Sequence, residues 1–215
     1  MDIVIWSLIG FISGAVPYSV VIGRLALGKD IRDFGDHNPG ATNVLKASGG
    51  NKWLFLAAIL GDGFKAAIPI GIAYYFVGIR DFGLIPVSLA PMLGHIYSPF
   101  LGFKGGKAVA SLFGVFCGLT TAPGPIVLGF LLGIFYGVSG PSGWAMLLTL
   151  LTFGLWWVPF YANWPFSLVW LLASLLVLWR YRDDLTTRPF FRPWVFRLTA
   201  RLTGGHTHNS SSYKD

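Results

Sequence analysis

The stretch Gly94 to Ser111 gathers the residue types that handle an anion. It reads Gly-His-Ile-Tyr-Ser-Pro-Phe-Leu-Gly-Phe-Lys-Gly-Gly-Lys-Ala-Val-Ala-Ser, between long apolar runs. His95, Lys104 and Lys107 supply charge or proton exchange. Gly105 and Gly106 free the backbone for close approach, because no Cβ stands in the way. Successive N–H groups in such a turn form an anion nest, and the apolar run from Ala108 to Leu119 would add a helix N-terminus. One reading is a phosphate site at a membrane surface. The other is a pair of ordinary positive-inside topology charges. A nucleotide P-loop does not fit. It needs four residues between its glycines and then Lys-Ser/Thr, whereas Phe103, Lys104 and Gly105 alone separate Gly102 from Gly106, and Ala108 has no hydroxyl.

A second polar segment, Asp30 to Lys46, carries Arg32, Asp36, Asn38, Thr42, Asn43 and Lys46, with Gly35 and Gly40 as bare backbone. Amide, hydroxyl and cationic donors together suit phosphate oxygens. The competing reading is an Asn/Gly turn that caps the next helix. Asp62 and Lys65 are three residues apart inside an apolar run, so they share a helix face. They read either as a functional pair or as a mutual ion pair near the interface, with Lys65 snorkelling. His95 closes another run, where it could act as acid/base or phosphate donor.

The elements that must position these groups are membrane helices. The chain of 215 residues is 54% hydrophobic and only 12% charged, with mean hydropathy +0.63. Lipid cannot satisfy bare backbone groups, so spans are helices or closed barrels, and the continuous apolar runs favour helices. The sequence predicts an all-α, polytopic membrane bundle of about seven spans (five to seven). They fall near 3–24, 52–77, 83–101, 107–120, 124–138, 142–161 and 163–180. The fourth and fifth are short for a crossing of roughly 20 residues. Segments 24–52 and 102–107 and the tail from Arg180 hold most of the basic residues, which places them on one face. The N-terminus is then outside and the C-terminus cytoplasmic. Residues 1–185 form the membrane domain. Residues 186–203 read as a basic amphipathic interfacial segment and 204–215 as a disordered tail. The segment 25–51 reads as one long functional loop.

Composition also excludes classes. The net charge of +7 is spread in short segments between spans, which suits an anionic leaflet rather than nucleic acid. Cys117 is the single cysteine, so no disulfide forms within the chain. No metal-ligand spacing and no Gly-x-Ser-x-Gly elbow occurs. No metal and no cofactor are expected. The N-terminus lacks the basic region of a signal peptide. No internal repeat supports a transporter with inverted halves.

Asn38-Pro-Gly-Ala-Thr-Asn-Val-Leu within Gly35–Lys46, and Gly94-His95 through Phe103-Lys-Gly-Gly-Lys-Ala-Val-Ala-Ser, resemble the bacterial acyl-phosphate-dependent glycerol-3-phosphate acyltransferases, the PlsY family. Val16-Pro17-Tyr18, Gly23-Arg24-Leu25 and Asp62-x-x-Lys65 fit too, and the resemblance runs from about Gly14 to Asp184. It implies a seven-helix enzyme of the bacterial cytoplasmic (inner) membrane, with its site facing the cytoplasm. The reaction implied is acyl transfer from acyl phosphate, not acyl-CoA, to the sn-1 hydroxyl of glycerol 3-phosphate in phospholipid biosynthesis. A peripheral partner enzyme would supply the acyl phosphate, and membrane lipids would surround the bundle. Implied catalytic residues are His95, Lys104 and Asn43. Implied substrate-binding residues are Asp36, Asn38, Gly40, Thr42, Lys46, Asp62, Lys65, Gly105, Gly106, Lys107, Ser139, Ser142, Arg180 and Asp184. The chain departs from the family pattern at four places. Asp36-His37 replaces Ser-Gly, Tyr136 replaces Arg, Tyr181 replaces His and Asp184 replaces Asn. Asp36 and Asp184 would each weaken phosphate binding unless paired with Arg or Lys. Acylation of a different polar acceptor, or a non-catalytic membrane anion- or lipid-binding protein or transporter on the same bundle, are the alternatives.

Overall fold

The computed structural model describes residues 1–195, and they are mostly helical. Helix α1 spans Asp2–Ala15, α2 Tyr18–Leu27, α3 Ala41–Ala47 and α4 Lys52–Gly71. Helix α5 spans Asp81–Ile96, α6 Val109–Thr120, α7 Pro123–Val138 and α8 Ser142–Tyr161. Helix α9 spans Trp164–Arg180 and the short α10 Arg182–Leu185. Among the described residues, four helical segments are long and apolar enough to cross a membrane: Asp2–Leu27, Lys52–Phe76, Asp81–Leu101 and Ser142–Tyr161. Helices α6, α7 and α9 are apolar but shorter.

The first expected span is not one helix. Val16 is extended (φ −62°, ψ 120°) and Pro17 follows it. Proline disfavours the α conformation of the residue before it, so α1 ends there and α2 restarts. The break strips the Ala15 and Val16 carbonyls of regular helix partners. Side chains replace them: Ser98 Oγ donates to Ala15 O at 2.6 Å and Lys65 Nζ to Val16 O at 2.7 Å.

Segment 25–51 is likewise not one long loop. Helix α2 runs into it as far as Leu27, a 3-10 turn covers Ile31–Asp33, and α3 occupies Ala41–Ala47. The turn has a clear cause. Asp30 accepts from the Arg32 N–H and from its guanidinium (2.9 and 2.6 Å), and Arg24 adds a third charged contact at 3.0 Å. The Arg32 hydrogen bonds hold the Asp30 carboxyl well below the usual carboxylate range, overriding its partial burial. Arg32 is therefore committed to the loop and not to a ligand. Asn51 then caps α4, accepting from Trp53 and Leu54 N–H at 3.0 and 3.2 Å.

Helix α1 lies against α5 and α4, α4 against α6, α6 against α7, α7 against α8, and α9 against both α5 and α8. The α1–α5 crossing is backbone on backbone. A Cβ on Gly14 would overlap the Pro91 carbonyl, and one on Gly94 the Phe11 carbonyl. Small residues at such crossings let dispersion act where lipid removes the hydrophobic drive. The main core centres on Phe116, Phe153 and Trp157, all fully buried, with ring centroids 4.6–5.2 Å apart.

Within the segment expected at the interface, Phe190–Phe191 forms a two-residue strand antiparallel to Ser139–Gly140. Residues 196–203 of that segment, and the 204–215 tail, lie outside the described residues.

Candidate active site

The C-terminal ends of α1, α5, α7 and α9, the middle of α4 and the starts of α2, α3, α6 and α8 contribute to one polar region. Two polar clusters sit there, joined by the Gly105–Lys107 backbone.

The inner cluster is buried. Asp62 and Lys65, one turn apart on α4, are 2% and 4% exposed. Lys65 Nζ lies 2.7 Å from Asp62 Oδ1 and 2.8 Å from His95 Nδ1, besides its bond to Val16 O. Those three acceptors use the three N–H donors of the ammonium. Ser19 Oγ donates to Asp62 Oδ2, and Ser111 Oγ to the Asp62 carbonyl at 3.2 Å. Lys65 does not snorkel. Its charge is paired and fully hydrogen-bonded, the condition under which a charge is tolerated inside.

His95 belongs to this inner cluster. Its Nδ1 faces Lys65, so it accepts and the ring proton sits on Nε2. Nε2 in turn is covered by Gly106, whose Cβ, if it had one, would overlap it. The expectation of an accessible acid/base at His95 is not met. The ring supports the glycine loop from beneath.

The expected anion nest at Gly105-Gly106 is not formed either. Gly105 N–H donates to Ile96 O at 3.0 Å and Gly106 N–H to His95 O at 3.2 Å. These amides cap the end of α5, whose last carbonyls have no helical partner. Glycine is required here for contact: a Cβ on Gly105 would overlap the His95 carbonyl. The loop is thus clamped to α5, and Lys104 and Lys107 are held out on either side.

The outer cluster is half exposed. Lys107 Nζ lies 3.2 Å from Asp36 Oδ2, 3.8 Å from Asp184 Oδ2 and 4.5 Å from the Tyr181 ring centroid. Asp36 also accepts from Asn43 Nδ2 at 3.0 Å and from Asn38 N–H at 3.3 Å. Asp184 accepts from Ser142 Oγ at 2.5 Å. The Tyr136 and Tyr181 hydroxyls are 3.1 Å apart. Burial of the Asp36 carboxyl opposes its ionisation, yet Lys107 and the Asn38 and Asn43 donors outweigh that and hold it below its ordinary value of 3.8. The four departures seen in the sequence, Asp36, Tyr136, Tyr181 and Asp184, therefore come together, and both carboxylates find the cation they need.

Around this cluster the donors are only partly spent. Arg180 Nη2 holds Gly105 O at 3.0 Å, while its Nε is buried with no partner among the described residues. Asn43 is 1% exposed; its Nδ2 binds Asp36 and Asn38 O, and its Oδ1 is also without a partner. Lys46 and Lys104 are exposed and make no ion pair among the described residues. Lys46 folds over Gly35, where a Cβ would come 2.8 Å from its Nζ. Gly40 is the N-cap of α3, and Thr42 is exposed on that helix.

A family model for glycerol-3-phosphate acyltransferase matches residues 4–188, nearly all of the membrane bundle. The chain belongs to the glycerol-3-phosphate acyltransferase family. It is 37% identical over 180 residues to the glycerol-3-phosphate acyltransferase of Pasteurella multocida, covering 82% of this chain and 85% of that protein. It is 37% identical over 179 residues to that of Prochlorococcus marinus (strain NATL1A), covering 82% and 89%. Among solved structures it is similar to PlsY, an integral membrane glycerol 3-phosphate acyltransferase, in its glycerol 3-phosphate form. There the TM-score is 0.74 at 26% identity, covering 96% of this chain and 94% of that one. The lysophosphatidic acid form of PlsY gives TM-score 0.73 at 25% identity.

Within this PlsY-type fold the sequence-predicted residues divide three ways. Asp36, Asn38, Asn43, Lys107, Ser142 and Asp184 form one contact chain, which Arg180 adjoins through Gly105. Asp62, Lys65 and His95 lie beneath the loop. Ser139 is separate: its hydroxyl donates to Phe135 O at 2.8 Å, and its backbone pairs with Phe191. Sequence reasoning missed Ser19 and Ser111, which complete the inner cluster, and Ser98, which ties the chain after α5 to the Ala15 carbonyl. A lone serine in an apolar run carries no signal until its partner is known. It also missed Ala108, which takes a left-handed conformation (φ 60°) where the chain turns from Lys107 into α6.

Proposed function

We propose that this protein transfers a fatty acyl group from acyl phosphate to the sn-1 hydroxyl of glycerol 3-phosphate. The observation that carries the reading is the buried, unpartnered Nε of Arg180 beside the glycine-lysine loop, in a chain of this family. It is a donor held ready for an oxygen, with Lys46 and Lys104 as further cations at the same end of the bundle. The acceptor hydroxyl oxygen attacks the acyl carbonyl carbon. The carbon–oxygen bond to phosphate breaks, and inorganic phosphate leaves. The hydroxyl proton passes to a phosphate oxygen, so no protein base is needed and the buried His95 need not reach the substrate. Lysophosphatidic acid and phosphate are the products. The enzyme contributes orientation and fixed positive charge. Lys46 and Lys104 bind substrate phosphates, Lys107 joins them only in exchange for Asp36 and Asp184, and Asn43 fixes the 36–43 turn against them. Gly105, Gly106, Asp62, Lys65 and His95 position the loop.

An apolar groove between α4, α6 and the start of α7 is floored by Gly63 and Gly114 and lined by Ile59, Ala110, Cys117 and Pro125. It begins three residues beyond Lys107 and suits an acyl chain. The positive-inside pattern supports a reading in which this end of the bundle faces the cytoplasm of a bacterium and the seven apolar stretches cross the inner membrane.

The test is purified protein with acyl phosphate, with and without glycerol 3-phosphate. Lysophosphatidic acid with stoichiometric phosphate release is expected. Lys104→Ala should cost at least ~100-fold in turnover with an unchanged thermal midpoint in detergent. Acyl phosphate hydrolysis without transfer, or near wild-type turnover in Lys104→Ala, sinks the assignment.

A further inference from the structure

We propose that Asp36 and Asp184 are specificity-determining residues, which occupy Lys107 and so weaken the site's preference for a phosphorylated acceptor over an uncharged polyol. The inference rests on the acyl-transfer reading and refines its acceptor class. An ammonium has three N–H donors and no acceptor. Lys107 lies 3.2 Å from the Asp36 carboxylate and over the face of the Tyr181 ring, and the Asp184 carboxylate stands at ion-pair distance, 3.8 Å. The carboxylates are not loosely placed. Asn43 and the Asn38 amide fix Asp36, and Ser142 fixes Asp184 at 2.5 Å. The Tyr136–Tyr181 hydroxyl pair closes the far side with neutral groups.

Charge counting shows the consequence. Asp36, Asp184 and Lys107 together carry one net negative charge. Of the cations placed at this site, Lys46, Lys104 and Arg180 make no ion pair among the described residues. Both substrates of the proposed reaction bear phosphate, so two dianionic groups compete for those three charges. A phosphorylated acceptor gains Lys107 only by displacing two anchored carboxylates. An uncharged polyol such as glycerol meets no such competition and finds carboxylate acceptors for its hydroxyls. The same pocket with neutral amides at both positions would hand Lys107 to the acceptor phosphate.

The experiment compares wild type with Asp36→Asn/Asp184→Asn, using the full chain in detergent and acyl phosphate as donor. The ratio of kcat/KM for glycerol 3-phosphate to that for glycerol should rise about tenfold in the variant, which is about 1.4 kcal/mol. The change should lie in the KM for glycerol 3-phosphate, with kcat little altered. Calorimetric titration with glycerol 3-phosphate in the absence of donor should show the same tightening of Kd. An unchanged or lower ratio together with an unchanged Kd overturns the proposal. If wild type acylates neither acceptor, the acyl-transfer reading fails, and the Kd comparison alone still decides whether the carboxylates compete for Lys107. If the double variant lacks a thermal transition, Asp184→Asn alone, which keeps an amide oxygen for Ser142, is judged by the same titration.

Discussion

Two lysines one loop apart have the same kind of partners and opposite prospects. Lys65 is sealed with Asp62 and His95 beneath Gly106. Lys107 is held by Asp36 and Asp184 at the open end. The side chains of Lys65 and Asp62 are 1% and 3% exposed; those of Lys107 and Asp36 are 22% and 50% exposed. Water decides the difference. In the interior a charge left unpaired has no solvent to fall back on, so its partners are obligatory. At the open end solvent screens the pair, and either partner is replaceable by a ligand. The inner cluster is a structural joint between α1, α4 and α5, whereas the outer one has the exposure that the proposed ligand exchange needs.

The comparison breaks most visibly at Lys65. Lys65→Met strands the Asp62 carboxylate and should destabilise the fold by about 3–5 kcal/mol, read as a large fall in thermal midpoint. Replacing Asp62 and Lys65 together with apolar residues of similar volume should recover most of that loss. A Lys65→Met protein as stable as wild type would show that the two clusters do not differ in kind. Next in size is Gly105→Ala, which pushes the loop off the end of α5. It should cost roughly 100-fold in kcat/KM through misplacement of Lys104 and Lys107, with a smaller effect on unfolding. Equal losses in rate and stability would mean that the loop belongs to the joint and not to the site. The smallest effect is at Asp36→Asn, about 0–1 kcal/mol for a screened pair. Because the folded-state pKa of Asp36 is depressed, its contribution is fully present above the ordinary value of 3.8 and is lost as pH falls through the lower folded value. Acid titration of wild type should therefore show a stability loss in that range which Asp36→Asn lacks; identical acid profiles would remove Asp36 from the account.

Much of this was readable in the chain, and the failures have definite causes. Hydropathy located the apolar helices, since lipid leaves backbone few options. It ran through Val16-Pro17 because both residues are apolar, although the proline carried the information about the break. The Asp62-x-x-Lys65 spacing correctly put both groups on one face, but depth depends on neighbouring helices, and only packing against α1 and α5 shows that the pair is sealed. Gly105-Gly106 has the composition of an anion nest. Its amides serve α5 because the loop folds back on the helix that precedes it, a tertiary event with no local signature. The Asp36 and Asp184 substitutions looked like two separate liabilities. Residues about 150 positions apart could not be seen to share Lys107 before the chain was folded.

The break at Val16-Pro17 bears on how the protein is made. As it enters the bilayer, the first helix presents the Ala15 and Val16 carbonyls with their helical rungs missing. Their substitutes are synthesised later: Lys65 lies on α4, and Ser98 just past the end of α5. Until Ser98 arrives, the Ala15 carbonyl lacks that donor, and an unsatisfied backbone group in an oily phase costs several kcal/mol, whereas Val16 O keeps the Tyr18 N–H. The opening crossing is thus a provisional insertion, completed only when the third apolar stretch docks and hands Ser98 across.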